Sequence, residues 1–126
     1  MKTIINTGAA PAPIGPYSQA VAAGNFLFVS GQIAINPLTG ELALDDMKTE
    51  TQQVMQNIKA ILTEAGLDFS NIVKTSIFLK DMQNFAQVNE IYGTYFKGEF
   101  PARETVQVAG LPKNVNVEIT VTAIKY

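Results

Sequence analysis

The chain has 126 residues, 47% apolar and 16% charged, with a formal net charge of −2 and a pI near 5.0. That length suits one domain with one core, and the apolar content sets the chain apart from disordered sequences. It contains no Cys and no His, which excludes thiol nucleophiles, disulfides, a Ser-His-Asp triad, a histidine base and zinc sites built on His or thiolate.

Lys2 to Asn6 is short and β-branched, and predicts a first strand. The apolar stretch after Lys2 is too short for a signal peptide and is soon broken by Asn6, Thr7, Gly8, Pro11 and Pro13, so a cytoplasmic protein is expected. Ala9 to Pro16 carries three prolines and a glycine and reads as a loop of restricted φ. Gln19–Ala23 and Phe26–Ser30 flank Gly24-Asn25, a hairpin turn. Asn36-Pro37-Leu38-Thr39-Gly40 is a second turn.

From about Asp46 to Ala65 the period becomes helical, with Val54, Ile58, Ile61, Leu62 and Ala65 on one face and Gly66 placed to end the helix. Ile72 to Leu79 alternates, with Val73, Thr75, Ile77 and Leu79 sharing a side. Asn84 to Phe96 is a second helix, and Glu104–Val108 and Val115–Lys125 are two further strands. Two helices cover only one face of such a sheet. The other face of the last strand, Asn116, Glu118, Thr120 and Thr122, is mild and Thr-rich; it faces either water or another subunit. No apolar run approaches the roughly 18 residues of a membrane span.

There is no Walker A loop and no Gly-x-Gly-x-x-Gly. The acidic balance and the lack of a basic block argue against a nucleic-acid groove. Chemistry is left to carboxylates, Arg, Lys, Tyr, hydroxyls, backbone groups and water. Arg103, after Pro101-Ala102 at a strand entrance, reads as a fork for a carboxylate or as a solvated arginine. Glu118 is the only charged residue between Lys113 and Lys125; it reads as a carboxylate that activates water or as a polar residue on a wet sheet face. An arginine at the mouth of one strand and a carboxylate inside the next can share a small polar site, depending on register.

Gly31 within Ser30-Gly31-Gln32 marks a bulge, a close backbone approach or local relief of crowding. Tyr17 and Ser18 reach a ligand from their loop, or Tyr17 packs with its hydroxyl satisfied. Glu41, Asp45, Asp46 and Glu50 suit a helix N-terminus better than a metal.

Several stretches in order resemble the RidA/YjgF family of reactive-intermediate deaminases. They are Ile14-Gly15-Pro16-Tyr17-Ser18, Ser30-Gly31-Gln32-Ile33, Asn36-Pro37-Leu38-Thr39-Gly40, Val73-Lys74-Thr75, Phe85-Ala86-Gln87-Val88-Asn89, Pro101-Ala102-Arg103, and Leu111-Pro112-Lys113 leading to Val117-Glu118-Ile119. The resemblance implies a chorismate-mutase-like α+β fold, a homotrimer with sites in clefts between subunits, and no cofactor. It implies hydrolysis of 2-imino and 2-enamino acids, leaked by pyridoxal-phosphate enzymes, to 2-oxo acids and ammonia.

By that resemblance Arg103 clamps the substrate carboxylate and Glu118 positions the attacking water. Ser30, Gly31, Tyr17, Asn89 and Thr105 contribute to substrate binding. Many members carry Cys where this chain has Thr105, and a small residue where it has Glu104, which in a bulged strand would pair with Arg103 and weaken the clamp. The connection Lys97-Gly98-Glu99-Phe100 is short beside many relatives. The rival expectations are a non-catalytic binder of small 2-oxo or amino acids and, against the acidic pI, a ribonuclease or translation inhibitor.

Overall fold

The computed structural model describes residues 1–126. Its elements are β1 (Thr3–Ile5), β2 (Ala20–Ala23), β3 (Phe26–Gln32), α1 (Met47–Glu64), β4 (Ile72–Leu79), α2 (Phe85–Gly93), β5 (Ala102–Gln107) and β6 (Val117–Ile124). The strands form one mixed sheet in the order β1-β2-β3-β6-β4-β5. Only β4 and β5 run parallel. The last strand therefore inserts at the centre, between β3 and β4, and leaves β5 at an edge.

The helices form where the sequence period predicts them. Asp46 caps α1 by accepting the Thr49 N–H at 2.7 Å. Val54, Met55, Ile58, Ile61 and Leu62 are buried against the sheet, each contributing roughly 1.5–3 kcal/mol. Gly66 takes a φ of 75° just beyond the helix, a backbone state that glycine reaches at little cost. The second helix is shorter than its apolar stripe. After Gly93 the chain tightens, with Thr94, Tyr95 and Phe96 donating to carbonyls three residues back.

Both helices cover one face. Leu27, Val29, Ile77, Leu79, Val117, Ile119, Val121 and Ala123 turn inward to meet Val54, Ile58, Ile61, Leu62, Val88 and Tyr92. Two bulges correct the simple alternation. In β4, Ile72 opposes Ala123 and Lys74 opposes Thr122, so Val73 is the extra residue. Val73 is exposed and Ile72 takes the core position expected of it. In β3, Val29 opposes Val121 and Gln32 opposes Ile119. Ser30 and Gly31 together face one residue, Thr120, which makes Gly31 part of a bulge.

The opposite face of the sheet is open. Phe26 and Phe28 are stacked there with ring centroids 5.9 Å apart, 45% and 49% exposed. Their exposure makes this face more apolar than the Thr-rich pattern of β6 suggests. No helix is long and apolar enough to cross a membrane.

Candidate active site

Arg103 lies on β5 opposite Thr75 of β4. Paired residues of neighbouring strands point to the same side of a sheet, and Thr75 is buried beneath the helices. Arg103 accordingly meets α2. Its guanidinium carbon lies 5.2 Å from the Tyr92 ring centroid and 5.7 Å from that of Phe85. The two rings are seven residues apart, on one stripe of the helix. Both rings lie within cation–π range of the guanidinium. Neither of the chain's ion pairs, Lys48–Glu90 and Lys74–Glu104, involves Arg103.

The surroundings of this cation are neutral. The Tyr92 hydroxyl donates to Thr75 Oγ1 at 3.0 Å. Burial pushes that phenol above its ordinary range, outweighing the hydrogen bond and the Arg103 charge that favour ionisation. Half-buried Asn89 stands one turn from both Phe85 and Tyr92. Thr105, next along β5 on the Arg103 side, keeps a buried Oγ1 with no hydrogen-bond partner. Glu104 points the other way and pairs with Lys74 at 2.7 Å. The Lys74 hydrogen bond is the main cause holding its carboxyl below the usual range. Glu104 thus does not pair with Arg103.

Glu118 belongs to a second cluster. It opposes Phe78 of β4 and lies on the open face. Its carboxylate rests on the β3 bulge: a Cβ added to Gly31 would sit 2.7 Å from Glu118 Oε2 and 2.9 Å from Cδ. The absence of a side chain at Gly31 lets the carboxylate lie this close to the backbone, and any Cβ there would push it away. Burial pushes the Glu118 carboxyl above the usual carboxylate range, and no cation pairs with it.

Ser30 anchors the bulge. Its hydroxyl donates to the Ser18 carbonyl at 2.6 Å and its N–H to the Gln19 carbonyl at 2.9 Å. Gln19 is buried and ties down the proline-rich loop, accepting from Thr7 N at 2.7 Å and donating to the Thr7, Ala10 and Pro11 carbonyls. That loop brings Tyr17 to the same recess. Its hydroxyl accepts the Ile14 N–H at 3.2 Å, and its ring is 46% exposed. Tyr17, Gly31, Glu118, Ile14 and Pro112 line a recess of about 40 Å³, space for a water or the head of a small ligand. A cleft of about 730 Å³ between Phe69, Phe96, Phe100 and Tyr126 contains neither Arg103 nor Glu118.

The structure therefore brings Arg103, Thr105 and Asn89 together on the helix side. It brings Tyr17, Ser30, Gly31 and Glu118 together on the open side. Arg103 and Glu118 do not share a face within one chain, because β4 separates their strands and its residues 75 and 78 point to opposite sides. Sequence reasoning missed Tyr92 as a support for Arg103; the seven-residue spacing from Phe85 was the available signal.

The family model described as Endoribonuclease L-PSP matches residues 7–125. The 2-iminobutanoate/2-iminopropanoate deaminase of Mus musculus is 46% identical over 125 residues, covering 99% of this chain and 93% of the mouse protein. The crystal structure of the YjgF gene product from E. coli has a TM-score of 0.94 at 46% identity, over 98% of this chain and 99% of that one. E. coli TdcF, solved with bound serine, has a TM-score of 0.95 at 41% identity, over 98% and 99%. With likeness of sequence and fold along nearly its whole length, the chain belongs to the YjgF/RidA family.

Proposed function

We propose that this protein hydrolyses 2-imino and 2-enamino acids to 2-oxo acids and ammonia without a cofactor, as a homotrimer whose sites lie between protomers. One observation carries the reading. A free guanidinium and an unpaired carboxylate, each held in a shaped setting, occupy opposite faces of one sheet. Two copies placed face to edge unite them. The exposed Phe26 and Phe28 pair supplies apolar surface for such an assembly. The mouse relative's deaminase name and the serine bound to TdcF support a small amino-acid-like ligand.

The chemistry asks little of the protein. Arg103 holds the substrate carboxylate by its N–H groups, and the buried Thr105 hydroxyl is a second donor nearby. A protonated imine at C2 is already electrophilic. Glu118 accepts a proton from a water as its oxygen bonds to C2, then returns that proton to the nitrogen. The C–N bond breaks as Glu118 takes the remaining hydroxyl proton, the C2 carbonyl forms, and the departing ammonia carries that proton away as ammonium. The raised pKa of Glu118 makes it a better base than an exposed carboxylate. Most of the gain is orientation.

Semicarbazide competition tests the reading. An amino-acid oxidase or threonine dehydratase generates the imine in situ, and semicarbazone formation is followed with and without the protein. Wild type is expected to suppress trapping, and Arg103→Ala and Glu118→Gln are expected not to. An inert wild type that still binds 2-oxobutanoate would replace the enzyme by a metabolite binder.

A further inference from the structure

Glu50 is the only charged side chain among the chain's buried residues. The sequence assigns it to the start of α1, but Asp46 alone caps that helix. The Glu50 carboxylate crosses to β6 instead. Its Oε2 accepts the Asn116 N–H at 2.7 Å and the Val117 N–H at 3.1 Å, and its Oε1 accepts from Asn116 Nδ2 at 2.8 Å. No cation pairs with it. Three donors thus stand in for water around a carboxylate removed from solvent.

The location explains the need. Pairing of β3 with β6 reaches only Ile119, opposite Gln32, so residues 116 and 117 lie beyond the β3 ladder. The turn before them is strained, with Lys113 and Asn114 at φ of 54° and 56°. Lysine in particular avoids this left-handed region, which asparagine tolerates better. A segment that leaves a strained turn without a strand on one side requires an external tie. Glu50 provides it beside Glu118, which follows Val117 directly.

We propose that Glu50 is a positioning residue for Glu118, fixing the start of β6 so that the Glu118 carboxylate stays against Gly31. Its catalytic consequence rests on the deaminase reading; its geometric consequence does not.

Glu50→Gln keeps the shape but removes the charge and one acceptor oxygen, so the bonds to the Asn116 and Val117 N–H groups lose their charge assistance and the Asn116 amide must turn to meet the new N–H2. With imine hydrolysis as readout, kcat is expected to fall about tenfold or more. KM is expected to change less than about twofold, because Arg103 still holds the substrate. Asn116→Ala removes only the side-chain donor and is expected to lower kcat less, in the same direction; it also serves if Glu50→Gln fails to fold. In parallel, carbon-13 NMR follows the titration of the Glu118 carboxyl, whose midpoint is expected to move in both variants. A lower melting temperature with kcat and midpoint unchanged overturns the proposal and makes Glu50 a structural tie alone. If wild type fails to hydrolyse imines while the Glu118 midpoint still moves, the deaminase reading falls and the positioning role stands.

Discussion

The Arg103 cluster and the Glu118 cluster solve opposite electrostatic problems with different materials. Arg103 is a cation without an ion-pair partner, set beside two aromatic rings in cation–π range. Glu118 is an anion kept unpaired by backbone, on a bulge where the absence of a side chain at Gly31 admits it. The first cluster rests on the packed helix side, and the second on the open face of the sheet. Within one chain the two clusters therefore stay apart.

Experiments that separate the clusters should produce the largest effects. Arg103→Ala is expected to lower kcat/KM for imine hydrolysis by about two to three orders of magnitude, in keeping with loss of a buried charged partner. Co-refolding Arg103→Ala with Glu118→Gln sharpens the contrast. If each site takes one residue from each of two protomers, about a quarter of the sites in randomly mixed trimers regain both groups. Measured activity near that fraction supports division between copies; activity no higher than either variant alone excludes it.

Gly31→Ala attacks the Glu118 cluster only. The added methyl would displace the flexible Glu118 carboxylate from its place against the bulge, at little cost to stability. Activity is expected to drop at least about tenfold while 2-oxobutanoate binding through Arg103 survives, which calorimetry can measure. The pH dependence of stability also isolates Glu118. Its folded pKa is raised by burial, so the native state binds more protons than the unfolded state between the ordinary and raised values. Stability therefore falls as pH rises through that window. Glu118→Gln should remove this component of the slope in denaturant titrations, and activity should rise with pH through the same range as the base form appears.

Thr105→Val gives the smallest expected change, and one of opposite sign. Valine replaces a buried hydroxyl that has no partner in the free protein. Stability is expected to rise by about 1 kcal/mol, while affinity for a small 2-oxo acid weakens. A stability loss would mean that the hydroxyl already finds a partner in the unliganded protein.

The sequence displayed the candidate residues better than their arrangement. Arg103 stood out after Pro101-Ala102, Glu118 stood out in an apolar strand, and Gly31 marked a bulge, a close backbone approach or relief of crowding. Glu50 was legible only as one of several acids near a helix start, because burial and a partner 66 residues away leave no local mark. Val73 took the wrong side for a similar reason: a bulge shifts the alternation without changing residue type.

Composition and period by themselves determined much of this protein: chemistry without thiol or imidazole, two amphipathic helices, short alternating strands and a sheet covered on one face. These are local properties, set by side-chain polarity repeating at 3.6 or 2 residues. Tertiary structure decided that the last strand inserts between β3 and β4, that β5 becomes an edge, and that Arg103 and Glu118 point apart. Strand order and register depend on which distant segments exchange hydrogen bonds, and a one-residue difference in pairing reverses the face on which every side chain lies.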